Sequence, residues 1–120
     1  MNRPDRRVAA EKRGCGAETL ACWFLRIHGW RILARRARVP GGEVDVVARR
    51  GRTLAFVEVK ARSTMDAAFM SLDEWRLRRV VVAAERLAPR FMREGDSVRI
   101  DAIYVVPGRW PKHTPDVWRG

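Results

Sequence analysis

The stretch GEVDVVARRGRTLAFVEVKARS, residues 42–63, constrains this chain more than any other. Two short Val-rich runs, 43–49 and 53–61, read as strands joined at Gly51-Arg52, a Gly-X pair of the kind that closes type II′ hairpins. A two-residue turn there pairs Arg50 with Thr53 and Val47 with Phe56. The same register sets Asp45 opposite Glu58 and Glu43 opposite Lys60. Opposed residues share a face, with Cβ atoms about 5 Å apart. Two carboxylates at about 4 Å repel by about 4 kcal/mol at an effective dielectric of about 20. A sheet built for stability alone does not choose that pair.

One carboxyl can stay protonated, its pKa raised by the other. A divalent cation between them turns the repulsion into attraction, and Mg²⁺ (or Mn²⁺) takes such oxygen ligands while keeping waters for chemistry. Lys60, on the same face, can orient an attacking water or neutralise a phosphate. Asp45, Glu58 and Lys60 are therefore candidate catalytic residues for metal-assisted phosphodiester hydrolysis. Structural alternatives stay open for each residue alone. Glu43 and Lys60 can form a plain cross-strand ion pair, Asp45 can satisfy backbone donors near Gly41-Gly42, and Glu58 can cap a neighbouring helix.

Around the hairpin, Leu20, Ala21, Phe24, Leu25 and His28 recur at helical spacing from Ala17, and Gly29 supplies a stop. Glu18 falls at the edge of that stripe, facing either solvent or a sheet border. Residues 30–39 read as a strand broken by Pro40-Gly41-Gly42, and residues 64–71 as a loop. Ser71-x-x-Glu74 predicts a capping box opening a second helix, which runs to about Met92 despite Pro89. Residues 97–106 alternate as a further strand, and the tail adds a short strand or simply packs. The layout is mixed α/β, one sheet with helices packed on it. At 120 residues the chain is one domain, 14–120, behind a polar basic arm at 1–13.

Charge points to a partner. Twenty-five Lys and Arg against fourteen Asp and Glu give +11, a field that concentrates polyanions, nucleic acid above all. The plain alternative is a basic surface kept for solubility. On the second helix Leu77, Val80, Ala84, Leu87 and Phe91 project to one side, while Arg76, Arg79, Arg86, Arg90 and Arg93 gather on a neighbouring stripe able to track a phosphate backbone. Arg62, just past the hairpin, is the best single candidate for holding a scissile phosphate. The five tryptophans are expected mainly to pack, with Trp110 and Trp118 in the tail open to stacking on unpaired bases.

No apolar run approaches the roughly 20 residues a membrane span needs, and the N-terminus lacks the apolar core of a secretory signal. A cytoplasmic protein with no membrane partner is expected. Cys15 and Cys22 sit on a predicted helix about 10 Å apart, beyond the roughly 7 Å a disulfide allows, so two inert, partly buried thiols are expected. His28 and His113 stand isolated, with no zinc spacing.

Ala17-Glu18, Gly29-Trp30-x-Ile32-Leu33, Gly42-Glu43-Val44-Asp45 and Phe56-Val57-Glu58-Val59-Lys60-x-Arg62-Ser63 follow one another in order. This series resembles the PD-(D/E)xK, or restriction-endonuclease-like, superfamily and, more closely, the YraN-type bacterial protein family, over about residues 14–106. The resemblance implies a restriction-endonuclease-like central mixed β-sheet flanked by α-helices, with Mg²⁺-dependent nuclease chemistry. It implies Asp45 and Glu58 as metal ligands with the Val59 carbonyl, Lys60 as the catalytic lysine, and Glu18, the helical carboxylate of junction-resolving members, as a further catalytic residue and metal ligand. Three departures are visible. Arg76 stands where the family usually carries Lys, Arg36-Ala37-Arg38 replaces a segment that usually includes Asn, and STMDAAFM lacks a common Gly.

The leading expectation is a Mg²⁺-dependent endonuclease acting on DNA, branched or otherwise structured DNA in particular. The alternatives are a nucleic-acid-binding module that keeps the fold without turnover, and an assembly protein whose basic face meets an acidic or ribonucleoprotein partner. A homodimer would let so small a nuclease address both strands, but the sequence defines no interface.

Overall fold

The computed structural model describes residues 6–118, with side chains from residue 16 onward. Part of the expected basic arm, residues 1–5, and the side chain of Cys15 lie outside the described residues. The chain runs α1 (Arg6–Ile27), β1 (Arg31–Val39), β2 (Gly42–Arg50), β3 (Thr53–Ala61), α2 (Met65–Met70), α3 (Glu74–Phe91), β4 (Ser97–Val105) and β5 (Lys112–Thr114). One five-stranded sheet has the order β1-β2-β3-β4-β5. The β3–β4 pair is parallel and the other three are antiparallel. A parallel pair needs a long crossover, and α2 and α3 supply it.

The expected mixed α/β sheet flanked by helices is what the chain forms. The helices take opposite faces. α3 covers Val44, Val47, Leu54, Phe56 and Ile100 with Val80, Ala84 and Leu87. α1 covers Val46, Ala48, Ala55, Val57 and Ile103 with Ala21, Cys22 and Leu25. Alternate strand residues therefore feed two separate cores, as a sheet buried on both sides requires. Leu77, Val80, Ala84, Leu87 and Phe91 all pack on the sheet as their spacing predicts. Cys22 is fully buried, and burial pushes its thiol above the ordinary value.

Three local expectations need correction. The first helix begins at Arg6 rather than Ala17, and its buried stripe is Ala17, Glu18, Ala21, Cys22 and Leu25, leaving Leu20 and His28 exposed. Residues 65–70 are helical rather than loop: Thr64 caps α2 by accepting the Ala67 N–H at 3.1 Å. Ser71 does not open the next helix; it ends α2, and its hydroxyl donates to the Ala68 carbonyl at 2.6 Å. Asp73 caps α3 instead, accepting the Arg76 N–H at 2.8 Å. An ionised Asp beside the first turn also meets the positive end of the helix dipole. Pro89 sits inside the last turn of α3, and the helix ends two residues later.

The hairpin forms in the predicted register from Arg50 opposite Thr53 as far as Val46 opposite Val57, and the expected pairing of Asp45 with Glu58 is not part of the ladder. Gly51 has φ +60°, and Arg52 is not among the positive-φ residues, as a type II′ turn with glycine first demands. The tail is fastened by Asp101, which is wholly buried. Arg99 donates to both its oxygens at 2.8 and 2.9 Å, His113 Nε2 lies at 2.8 Å, and the Asp116 N–H donates at 3.0 Å. Burial pushes Asp101 up, but His113, Arg99 and the Asp116 N–H outweigh it and hold the carboxyl below its usual range. His113, isolated in sequence, thus has a partner twelve residues upstream.

Gly42 explains the first letter of the GEVD motif. A Cβ there would lie 2.5 Å from the Arg79 carbonyl oxygen and 2.8 Å from the Ala83 nitrogen. β2 and α3 meet backbone to backbone, and only glycine allows it. Gly42→Ala is expected to destabilise the fold by about 1–3 kcal/mol or more, because helix backbone must move. Gly16→Ala, where a Cβ meets nothing within 4 Å, is expected to stabilise α1 by up to about 1 kcal/mol. Urea unfolding of both variants checks the contrast; equal effects would contradict it.

Candidate active site

The β2–β3 ladder holds from Arg50↔Thr53 to Val46↔Val57 and then stops. The break is local to Asp45. Val44 and Val47 both pack on the α3 side while Val46 packs on the α1 side, so the alternation slips by one residue between them. On β1, Arg36 lies between the pairs Arg35↔Val46 and Ala37↔Val44 and has φ +51°, a conformation uncommon for a residue with a long side chain. Both strands are irregular at the same level, as at a bulge that re-aims a side chain.

Asp45 uses the freedom. Its Oδ2 accepts the Val59 N–H at 2.7 Å, a donor that a continued ladder would give to the main chain of β2. The predicted contact between Glu43 and Lys60 does not form, because the ladder has ended. Glu43 instead lies 3.6 Å from Arg38 Nε and 3.9 Å from Arg79 Nε. Lys60 Nζ pairs with Glu58 Oε1 at 2.9 Å. Residues two apart on a strand share a face, so the ExK spacing creates this pair within β3 alone. Glu58 and Lys60 are only 7% and 4% exposed.

Glu18 faces the sheet border and not solvent. It is 7% exposed, and Arg36 Nε reaches both its oxygens at 3.1 Å. The four residues Asp45, Glu58, Lys60 and Glu18 therefore act on one another electrostatically. Burial first, then the Glu58 charge, with Glu18 adding, push the Asp45 carboxyl up to about 7, against the opposing pull of the Val59 N–H and Lys60. Glu58 and Glu18 each have a cation at hydrogen-bond distance; among the described residues Asp45 has only an amide.

The donor set suits a hard divalent cation: the carboxylates of buried Glu58 and half-buried Asp45 beside the Val59 main chain. Among the described residues no three His, Cys, Asp or Glu side chains already form a metal cage. The set available is thus two carboxylates and a carbonyl, and Mg²⁺ accepts one or two carboxylates with the remaining positions as water.

The predicted nucleic-acid residues do not form one cluster. Arg62, one residue past Lys60-Ala61, is exposed and donates to the Ala61 carbonyl at 2.7 Å. Arg79 lies at the Gly42 crossing beside the site, and Arg76 is one turn away. Arg86 and Arg90 are exposed but recede along α3, Arg90 by about 21 Å from Arg76 at 1.5 Å per residue. Arg36 stood out in sequence only within the Arg36-Ala37-Arg38 departure, with nothing to tie it to Glu18. The expectation that tryptophans mainly pack also fails in part: Trp30 is buried, yet Trp23, Trp75 and Trp110 are exposed. Trp23 points away from the Ala21–Leu25 stripe, and Trp75 lies under the Arg79 guanidinium at 5.4 Å.

The Asp45 environment predicts a pH dependence. Its folded pKa, about 7, exceeds the ordinary carboxylate value of about 3.9, so the protonated form favours folding. The stability it confers is complete below about pH 4 and is lost as pH rises through about 7. Asp45→Asn keeps an acceptor for the Val59 N–H and removes the charge. Near pH 4 it should match the parent; at pH 8 it should be more stable by about 1–4 kcal/mol. Urea unfolding at both pH values measures this, and a variant no more stable at pH 8 would contradict it.

The chain matches the family model described as Uncharacterised protein family UPF0102 over residues 17–105, a span that takes in Glu18 and the whole hairpin. It is 56% identical over 113 residues to a UPF0102 protein of Sphingopyxis alaskensis, covering 94% of this chain and 97% of that one. A UPF0102 protein of Rhizorhabdus wittichii is 52% identical over 116 residues, 97% and 98% of the two chains. One of Erythrobacter litoralis is 44% identical over 114 residues, 95% and 98%. The YraN-type resemblance read from GEVD and FVEVKxRS is thus one of family, and the chain belongs to UPF0102.

Proposed function

We propose that this protein is a divalent-metal-dependent endonuclease of the restriction-endonuclease-like type, hydrolysing phosphodiester bonds in DNA, branched or structured DNA in particular. The observation that carries the reading is the Asp45 carboxyl. It sits where the ladder breaks, within reach of the charge of buried Glu58, and among the described residues no cation lies at hydrogen-bond distance from it. A site with that electrostatic deficit is stabilised by a bound divalent ion.

Asp45, Glu58 and the Val59 carbonyl would hold Mg²⁺ or Mn²⁺, which would supply Lewis-acid polarisation of the phosphate and a nucleophile at neutral pH. The chain's own groups divide the remaining work. Glu58 fixes the Lys60 ammonium at 2.9 Å, where it can hold an attacking water or a phosphate oxygen. Glu18, anchored by Arg36, adds negative charge on the α1 side of the cluster. Arg62 stands at the exposed exit of β3 and can neutralise the scissile phosphate. Arg76 and Arg79 flank the site end of α3, and Arg86 and Arg90 extend a backbone-tracking stripe, with net charge +11 behind them. Two protomers acting together would address both strands of a duplex.

A second reading has its own observation. Lys60 and Arg36 already neutralise Glu58 and Glu18, so the cluster can persist without metal in a module that only binds nucleic acid. The two readings separate cleanly. The endonuclease cleaves branched, single-stranded or duplex DNA with Mg²⁺ or Mn²⁺, and Asp45→Ala, Glu58→Ala and Lys60→Ala each lose at least about a hundredfold in rate, a loss of about 2.7 kcal/mol in transition-state stabilisation. The binding module shows salt-sensitive affinity that survives both EDTA and Glu58→Ala. No cleavage above the Asp45→Ala control on any of these substrates would remove the enzyme reading.

A further inference from the structure

A cleft of about 310 Å³ opens where α1 passes the carboxyl ends of β3 and β4. Gly16, Ala17 and Leu20 line one wall, and Ala61, Val106 and Pro107 line the other. Arg62, Ser63 and Arg109 form its polar rim, and all three are exposed. The lining is mainly apolar. Its place in the chain ties it to the site: Ala17 precedes Glu18, and Ala61 follows Lys60.

We propose that this cleft receives one unpaired nucleobase of a DNA strand whose backbone crosses the Asp45–Glu58–Lys60 site. The inference rests on the nuclease-fold reading for its polyanion and adds the class of substrate. A base is flat and apolar on its faces and joined to a phosphate, so it needs an apolar slot with cations at the mouth. That is the order found here, with Arg62 and Arg109 exposed at the rim. The volume lies at the small end of the roughly 300–1,000 Å³ of small-molecule sites, room for a single base and sugar but not for a stacked pair. A base inside a duplex cannot enter without being unpaired and unstacked, which costs a few kcal/mol and least where it is already unpaired. The cleft therefore selects bulged, branched or single-stranded DNA over continuous duplex. An uncharged apolar occupant leaves both rim arginines without a counterpart.

The structure offers a clean variant. Gly16 lines the cleft and a Cβ on it meets nothing within 4 Å, so Gly16→Leu adds bulk at the cleft wall without a clash, in a helix that gains propensity by the change. Three DNAs are compared in EDTA, where no cleavage occurs: a paired duplex, the same duplex with one bulged base, and one with an abasic bulge. Wild type is expected to prefer the bulged base over both others by about tenfold, the scale of burying part of one base against apolar walls. Gly16→Leu is expected to bind all three alike while keeping its affinity for paired duplex and, in a separate titration, for Mn²⁺. Equal wild-type affinity for the three DNAs overturns the inference and leaves the nuclease reading standing. Preference unchanged in Gly16→Leu assigns the bulged base to another surface and also overturns it. If sedimentation shows Gly16→Leu dissociating a dimer with preference intact, the occupant is a second copy. Binding of none of the DNAs ends both this inference and the nucleic-acid reading.

Discussion

The hydrogen bond from the Val59 N–H to Asp45 Oδ2, at 2.7 Å, is the contact on which the site depends. It replaces a main-chain bond with a side-chain one and so lets β2 leave β3 without stranding a buried donor. Once the strands part, carboxylates can occupy space that a regular sheet fills with Val and Phe. The cost is electrostatic and appears in the Asp45 carboxyl, pushed up to about 7 by burial and by Glu58. Arg36 answers from the other side. Its left-handed backbone, at φ +51°, occurs at the same level of the sheet and delivers a guanidinium to Glu18. Strained or irregular backbone beside clustered charge is where function is commonly found.

The regular half of the hairpin was legible because its rules are local. Gly51 fixes the turn, the turn fixes the register, and period-two alternation distributes Val46 and Val47 to opposite cores. The α3 stripe was legible for the same reason. The irregular half was not. Extrapolating the ladder placed Glu43 against Lys60, but the register stops carrying information where Asp45 caps Val59. Glu58 and Lys60 stayed together because their pairing needs only one strand. Glu18 could be placed at a stripe edge, yet which way it turned depended on Arg36, eighteen residues away. The short helix α2 was hidden because six residues carry too few turns for a period to show, although Thr64 followed by Asp66 is a legitimate cap signal.

The arginines serve two different ends. Arg49 is buried and binds both oxygens of Asp96 at 2.9 and 2.6 Å and the Phe91 carbonyl at 2.7 Å. It closes the end of α3 and holds the Asp96 carboxyl at about 2. Arg99 does similar work under the tail through Asp101. Arg62, Arg76, Arg86 and Arg90 are exposed, and they contribute to the field that a polyanion would meet. Net charge alone does not separate the two groups; burial does. No described helix is long and apolar enough to cross a membrane.

The central claim is that Asp45 and Glu58 are held near one another as the ligands of a divalent cation. Anomalous diffraction from crystals soaked in Mn²⁺ tests it directly. The account predicts a peak bridging the two carboxylates and touching the Val59 carbonyl, lost in Asp45→Asn. A Mn²⁺-saturated crystal with no peak there, and with Glu58 still paired only to Lys60, would contradict it.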